Sequence, residues 1–122
     1  MAKAKKIIPK RGEIYLVNFD PTTGAEIRKI RPALVLQNNI ANQYSPITIV
    51  AALTSQTEKT LYPTDALITG PESGMRKNSL ILLNQIRSID KERLIKRLGK
   101  LEEQTMERVN RAIELSLGLI EL

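Results

Sequence analysis

The stretch that decides the fold is Arg31-Pro32-Ala33-Leu34-Val35-Leu36-Gln37. Its middle is apolar at four consecutive positions, which is typical of a strand buried on both faces and therefore central in a sheet. Pro32 restricts the residue before it to extended geometry, so the Arg31 side chain leaves from a stiff strand entrance. A guanidinium offers a planar fork of donors that matches two phosphate oxygens. Read alone, however, the pair favours an ordinary surface salt bridge, the commoner role of an exposed arginine.

Further strands are predicted on both sides of this one, at residues 13–19, 47–54, 65–68, 79–89 and 96–100. They are rich in β-branched and aliphatic residues. Most are separated by turns that contain proline, glycine or asparagine, such as residues 70–74, and Asp90 is expected to cap a short helical turn before the last strand. Such closely spaced strands without alternating helices favour a small, strongly bent β-barrel or sandwich over a doubly wound sheet.

One helix is predicted at the end of the chain, from Glu102 to about Gly118. Met106, Val109, Ile113 and Leu117 recur at spacings of three or four, which indicates an amphipathic helix with one apolar face. The predicted fold class is thus α+β, mainly β, with a C-terminal helix whose apolar stripe packs on the barrel or faces a second subunit.

The length of 122 residues and a hydrophobic content of 42% indicate one globular domain. Residues 1–10 form a basic arm that we expect to be mobile, and residues 11–122 form the domain. The apolar runs are too short to span a membrane, and the basic N-terminus lacks the apolar core of a signal peptide. A cytoplasmic location is therefore expected.

The net charge of +6 is unevenly distributed. Basic residues concentrate in residues 1–31 and 87–100, whereas residues 101–122 carry an acidic excess. Two basic blocks that are distant in sequence predict either a positive face for a polyanion or an ordinary solvated surface, with equal weight.

The chain contains no histidine and no cysteine. The commonest ligands for zinc and other transition metals are therefore missing, and the three aspartates are scattered, so neither a metal site nor a cofactor is expected. Any acid–base chemistry must also proceed without the usual histidine.

Other polar residues stand where strands meet loops. Thr54 ends an apolar strand and is expected to cap the next turn or to donate to a phosphate. Gln85 and Arg87 alternate along the longest strand and so share one face. Glu26 is a loop carboxylate, for which a solvated charge is the ordinary interpretation.

Several segments in this order resemble the MazF/PemK family of toxin endoribonucleases. They are Arg11-Gly12-Glu13-Ile14-Tyr15, Phe19-Asp20-Pro21-Thr22-Thr23-Gly24-Ala25-Glu26, Arg31-Pro32-Ala33-Leu34-Val35-Leu36, residues 49–56, and Leu83-Asn84-Gln85-Ile86-Arg87-Ser88-Ile89-Asp90. The likeness covers nearly the whole chain from residue 11 onward. Between Glu26 and the arginine-proline strand, the chain has Ile27-Arg28-Lys29-Ile30 where the family often has small and glycine residues.

The resemblance implies an SH3-like barrel that assembles as a homodimer, and metal-independent cleavage of single-stranded RNA. It implies that Arg31 and Thr54 are catalytic, and that an antitoxin with an acidic tail is a partner. Glu26 would support the loop or act in proton transfer, with the general base left open. The residues expected to bind RNA are Ser79, Gln85, Arg87 and the loop cations Arg28 and Lys29.

Two other functions are compatible with a small barrel of this kind. One is a gyrase poison like CcdB, which would inhibit its target without cleaving RNA. The other is an SH3-like adaptor, but its ligand grooves are lined by aromatic side chains, and this chain has only four aromatic residues.

Overall fold

The described strands form one antiparallel sheet in the computed structural model, which describes residues 6–19, 30–57 and 61–122. The strand order is β4-β5-β3-β2-β1-β6. The elements are, in chain order, β1 Glu13–Asn18, β2 Ile30–Val35, α1 Asn39–Tyr44, β3 Ile47–Thr54, β4 Asp65–Ile68, α2 Gly70–Ser73, β5 Ser79–Asp90, a 3₁₀ turn Lys91–Arg93, β6 Leu94–Lys100 and α3 Glu103–Ser116.

The α+β class and the C-terminal helix are confirmed, and the predicted barrel differs from the structure in that the sheet is not closed. The sheet is open, because β4 and β6 are its two edges and are not paired with each other in the described ranges. The segment predicted as a turn at residues 70–74 forms the single turn of α2, closed by Gly74 in a left-handed conformation.

The central strands are buried on both faces, as their continuous apolar runs predict. On one face Leu34 and Ala51 belong to a core cluster that also contains Met106 and Val109 of α3. On the other face Ala33 and Val50 belong to a second cluster. Helix α3 therefore covers the face of the sheet that carries Leu34 and Ala51, and it does not cover the face that carries Ala33 and Val50.

Strand β5 changes register part of the way along β3. Ala51 pairs with Ile86, but Leu53 pairs with Ile81, so two steps along β3 correspond to five along β5. Extra residues on one strand of a pair bend that strand and increase its twist. This irregularity separates an apolar half of β5 from a half with exposed polar side chains, which contains Gln85 and Arg87.

The predicted stripe of α3 is confirmed for most of its length. Met106 and Val109 are buried, and Ile113 packs against the same cluster. Leu117 follows the last helical residue and is exposed. Within the described ranges, none of the helices is long and apolar enough to cross a membrane.

Residues 6–10 of the predicted basic arm lie beside the sheet. Pro9 is buried, Ile7 packs against the second cluster, and the Lys10 amide donates to Glu13 Oε1 at 2.7 Å. Residues 1–5 fall outside the described residues, so the mobility of the arm stays a prediction.

Candidate active site

A cavity of about 430 Å³ lies at the end of the central strands. We call it the Arg31–Thr54 cavity. The described residues that line it are Arg31, Pro32, Leu53, Thr54, Ser55, Gln56, Met75, Arg76, Lys77 and Ser79.

The strand register brings the two candidate catalytic residues together. Ala33 of β2 pairs with Ala52 of β3 in an antiparallel ladder. Continuing that register by two residues places Arg31 opposite Thr54, and both side chains lie on the face of Ala33 and Ala52 because side chains alternate along a strand. The arginine is exposed and the threonine is half-buried. Their proximity is thus a direct result of β2–β3 pairing.

Ser79 approaches the same point from the third strand. Leu80 of β5 pairs with Thr54, so the first residue of β5 lies beside the last residue of β3. Ser79 is only 2% exposed, so it forms part of the cavity wall. The structure therefore brings three of the predicted site residues, Arg31, Thr54 and Ser79, into one cavity.

The Thr54 hydroxyl accepts one hydrogen bond within the protein and can donate another to a group in the cavity. Its Oγ1 accepts a hydrogen bond from the Gln56 amide at 3.2 Å, which confirms that it caps the following turn. Because a hydroxyl both accepts and donates, its proton remains available to a group in the cavity. The hydrogen bond from the Gln56 amide thus fixes the Thr54 oxygen without using the hydroxyl proton.

Gln85 and Arg87 are not among the residues that line the cavity. Arg87 pairs with Val50, four residues before Thr54 and on the same face, or roughly 13 Å away along β3. Its guanidinium lies over the Phe19 ring, 5.2 Å from the centroid, a cation–π geometry. The two residues therefore extend the candidate surface beyond the cavity.

Glu26, Arg28 and Lys29 belong to residues 20–29, which lie outside the described residues. Their roles in proton transfer and RNA binding stay predictions.

Four polar residues of the cavity, Ser55, Gln56, Arg76 and Lys77, are not among the site residues predicted from the sequence. The two cations stand in the turn between α2 and β5, three and two residues before Ser79. Their closeness in sequence to Ser79, which was a predicted site residue, was a signal that could have identified them. Using it would have required knowing that β5 pairs with β3, although β4 lies between them in sequence.

The buried carboxylate of Glu13, in β1, holds two neighbouring side chains in place. Glu13 accepts from the Tyr15 hydroxyl at 3.2 Å and pairs with Arg97 Nε at 2.8 Å. Burial, reinforced by the charge of Glu13 and its hydrogen bond, raises the pKa of Tyr15 to about 12, although Arg97 acts in the opposite direction. This cluster is structural, because its polar groups bind one another.

The described residues contain no group of three or more acidic, histidine or cysteine side chains that could hold a metal ion. The chemistry that the cavity offers is therefore that of hydrogen-bond donors and positive charge.

Comparisons with known proteins cover almost the whole chain. The model of the family described as PemK-like, MazF-like toxin of type II toxin-antitoxin system matches residues 10–117. Endoribonuclease EndoA of Bacillus subtilis is 43% identical over 115 residues, which is 94% of this chain and 99% of the relative. Endoribonuclease MazF of Staphylococcus saprophyticus subsp. saprophyticus is 44% identical over 110 residues, 90% of this chain and 92% of the relative.

A solved structure of an endoribonuclease in complex with its cognate antitoxin, from a mycobacterial species, has the same fold. It superposes with a TM-score of 0.75 at 25% identity and covers 93% of this chain and 99% of that one.

Proposed function

Because the chain belongs to the PemK-like, MazF-like family of type II toxins, we propose that it is a toxin that cleaves single-stranded RNA at specific sequences without a metal. Its curated relatives from Bacillus and Staphylococcus are named as endoribonucleases and match it over nearly their whole length. The observation that carries the proposal is that Arg31 and Thr54, from the adjacent strands β2 and β3, line one cavity together with further cations.

RNA supplies its own nucleophile, so the protein needs to position and stabilise rather than to attack. The ribose 2′-oxygen forms a bond to phosphorus, the bond from phosphorus to the 5′-oxygen of the next nucleotide breaks, and the products are a 2′,3′-cyclic phosphate and a 5′-hydroxyl. Negative charge builds up on the two nonbridging oxygens of the phosphorane. Preorganised donors aimed at these oxygens lower the barrier.

Arg31 and Thr54 can supply those donors. The guanidinium of Arg31 binds the two nonbridging oxygens through its planar fork. The Thr54 hydroxyl donates its free proton to the same phosphate, while its capping bond to Gln56 keeps the oxygen in place. Neither residue has to change its protonation state in this role.

Two proton transfers complete the reaction, one from the 2′-hydroxyl and one to the leaving 5′-oxygen. A guanidinium is charged at physiological pH and so cannot accept the first proton. Glu26, which precedes β2 in the sequence, is the candidate base, and the general acid is left open.

The remaining site residues are proposed to bind the RNA on either side of the scissile bond. Ser79 contacts it from the cavity wall, whereas Gln85 and Arg87 contact nucleotides farther along the sheet face. Arg28 and Lys29, which precede β2 in the sequence, are proposed to add positive charge. Contacts outside the cavity would supply the sequence preference, because phosphate contacts carry no sequence information.

The proposed partners are an acidic antitoxin and a second copy of the chain. The mycobacterial structure is a complex with an antitoxin, and an acidic segment would suit the positive charge of this chain. Leu117, Leu119 and Leu122 are exposed apolar residues after α3 and suit a subunit interface. The proposed site of action is the cytoplasm, where messenger RNA is found.

The reaction is tested with a mixed-sequence RNA in the presence of EDTA. We expect discrete fragments that end in 2′,3′-cyclic phosphate, and no cleavage of an RNA with 2′-deoxyribose at the cleaved nucleotide. A requirement for Mg²⁺, or cleavage of the deoxy-substituted RNA, would contradict the mechanism. Inhibition of gyrase with intact RNA would support the gyrase-poison alternative instead.

The role of Arg31 is tested with Arg31→Ala. Its loss should lower the cleavage rate by about 10²- to 10³-fold, the usual effect of removing one transition-state donor. Arg111→Ala removes an equally exposed charge from α3, outside the cavity, and should leave the rate unchanged. Equal rates for the two variants would contradict the assignment.

A further inference from the structure

Two groups among the arginines and lysines of the described ranges differ in their surroundings. In the first, protein acceptors hold the charged group: Arg11 donates to the Leu36 carbonyl, Arg97 pairs with Glu13, and Arg108 donates to the Leu67 carbonyl. Lys91 and Arg93 likewise donate to backbone carbonyls. These cations stabilise the fold.

The second group contains the three cations of the Arg31–Thr54 cavity. In the part of the chain that the structure describes, Arg31, Arg76 and Lys77 make no hydrogen bond or ion pair through their charged groups, and all three are exposed. The described lining of the cavity contains no acidic side chain. Three unneutralised charges around one cavity create a strong local attraction for anions.

The turn that carries Arg76 and Lys77 has a closely fixed backbone. The Gly70 amide donates to Asn78 Oδ1 at 3.1 Å, and the Met75 amide donates to the Gly70 carbonyl at 3.0 Å. Gly74 has a φ of 78°, and a Cβ there would lie 1.8 Å from the Leu98 carbonyl oxygen of β6. The two cations are therefore presented from a preorganised segment.

The strand order places these cations opposite Arg31 across Thr54. β3 lies between β2 and β5, so Arg31 is on one side of Thr54 and the turn that leads into β5 is on the other. Strands separated by one neighbour are roughly 10 Å apart. Two successive phosphodiesters of one RNA strand suit that width, with one phosphate beside Arg31 and the next beside the turn.

We propose that Arg76 and Lys77 form a second phosphate site, which binds the phosphodiester adjacent to the scissile one and so positions the RNA across Thr54. The inference rests on the proposed RNA cleavage and deepens it. Arg31 serves the reacting phosphate, and the α2–β5 turn acts as a positioning element that does not touch the reacting atoms.

The test compares two double variants that remove the same amount of charge. Arg76→Gln/Lys77→Gln removes the proposed site, and Lys96→Gln/Lys100→Gln removes two exposed cations from β6, which do not line the cavity. The first should weaken binding of an uncleavable 2′-deoxy-substituted RNA about tenfold or more. It should also reduce the salt dependence of binding, by about 0.7 in the slope for each phosphate that the variant no longer binds. The single-turnover rate at saturating RNA should change much less than the affinity.

A chemical change in the RNA identifies the phosphate. Replacing the adjacent phosphodiester by a neutral methylphosphonate should weaken binding to the wild-type chain and to the β6 variant, but cause little further loss in the turn variant. Equal losses in all three proteins would overturn the proposal, as would equal behaviour of the two double variants. Loss of binding to an acidic peptide with unchanged binding to RNA would also overturn it, because the turn would then be a peptide site.

These outcomes are separable from failure of the proposed function. If the wild-type chain cleaves no RNA, the proposed function fails. If it cleaves RNA and the turn variant binds and cleaves like the β6 variant, only the second phosphate site fails. The unfolding temperatures of both variants should match that of the wild type, since all four substituted residues are exposed.

Discussion

Two threonines on the same face of β3 have opposite surroundings. Thr48, near the start of the strand, is fully buried and donates to Asn42 Oδ1 at 2.7 Å. Asn42 in turn accepts from Gln37 Nε2 at 3.0 Å and donates to the Gln37 carbonyl at 2.8 Å, which closes the cluster. Thr54, at the other end, keeps its proton available and lies opposite an arginine without a protein partner in the described ranges.

The difference separates structural from functional polar groups in a small fold. Where donors and acceptors satisfy one another, as around Asn42, their contribution is to stability. Where donors converge on a cavity and remain unused, as around Thr54, they can bind a ligand. The described residues have no buried side-chain polar atom without a partner, so the unused donors of the cavity are an exposed feature and not a packing defect.

The most direct way to break the comparison is the same substitution at both threonines. Thr54→Val should lower the cleavage rate by about 10²-fold or more with a stability change within about 0.5 kcal/mol. Thr48→Val should leave the rate of the folded protein unchanged but destabilise it by about 2 kcal/mol, because Asn42 Oδ1 loses a buried donor. Single-turnover cleavage and urea unfolding measure the two effects. A loss of stability at Thr54, or a loss of rate at Thr48, would remove the distinction.

A larger stability effect is expected at the centre of the closed cluster. Asn42→Ala leaves the Thr48 hydroxyl and the Gln37 amide without their shared acceptor and should lower the free energy of unfolding by about 3 kcal/mol. Gln43→Ala, on the exposed side of the same helix, is the matched control and should have little effect. Urea unfolding of both variants is the measurement, and similar midpoints would show that the cluster does not stabilise the fold.

The smallest expected effect concerns a second closed cluster, Glu13–Tyr15–Arg97, and depends on pH. The pKa of Tyr15 is raised to about 12 in the folded chain, above the ordinary value of 10. The unfolded chain therefore loses this proton first. The contribution of the Tyr15 proton to the free energy of unfolding is complete below pH 10 and is lost as the pH rises toward 12. About 1 kcal/mol of this contribution is lost between pH 9 and pH 11.

Tyr15→Phe removes this titration, so its stability should fall less steeply over that range than that of the wild type. Tyr44→Phe is the control, because Tyr44 is exposed on α1. Denaturant unfolding at pH 9 and at pH 11 measures the slopes. A parallel decline in Tyr15→Phe and the wild type would contradict the raised pKa.

Local features of the chain were readable from sequence because they depend on local chemistry. The apolar run after Arg31 predicted a central strand, and the spacing of Met106 and Val109 predicted the buried stripe of α3. Asp90 was predicted to cap a helical turn, and its side chain accepts from the Glu92 amide at 2.9 Å.

Features that depend on pairing between distant strands were not readable. Arg76 and Lys77 reach the cavity because β5 pairs with β3 in addition to its sequence neighbour β4. The position of Arg87 along the sheet also depends on the register change in the β3–β5 pair, which places Arg87 opposite Val50 instead of Ile47, and the apolar pattern of β5 gives no sign of that change. The burial of Asn42 likewise needs Thr48 and Gln37 as partners, and composition alone favours an exposed asparagine.

The register change in β5 has a consequence for how such a protein can diversify. The two halves of the strand are aligned independently against β3, one holding Leu80 and Ile81 in the core and the other presenting Gln85 and Arg87. A residue inserted or deleted between Ile81 and Ile86 can be taken up within this irregular segment, so that the apolar half, the polar half and the cavity all keep their places. The irregular segment is therefore a place where the length of β5 can vary between related chains without loss of the core or of the proposed RNA-binding residues.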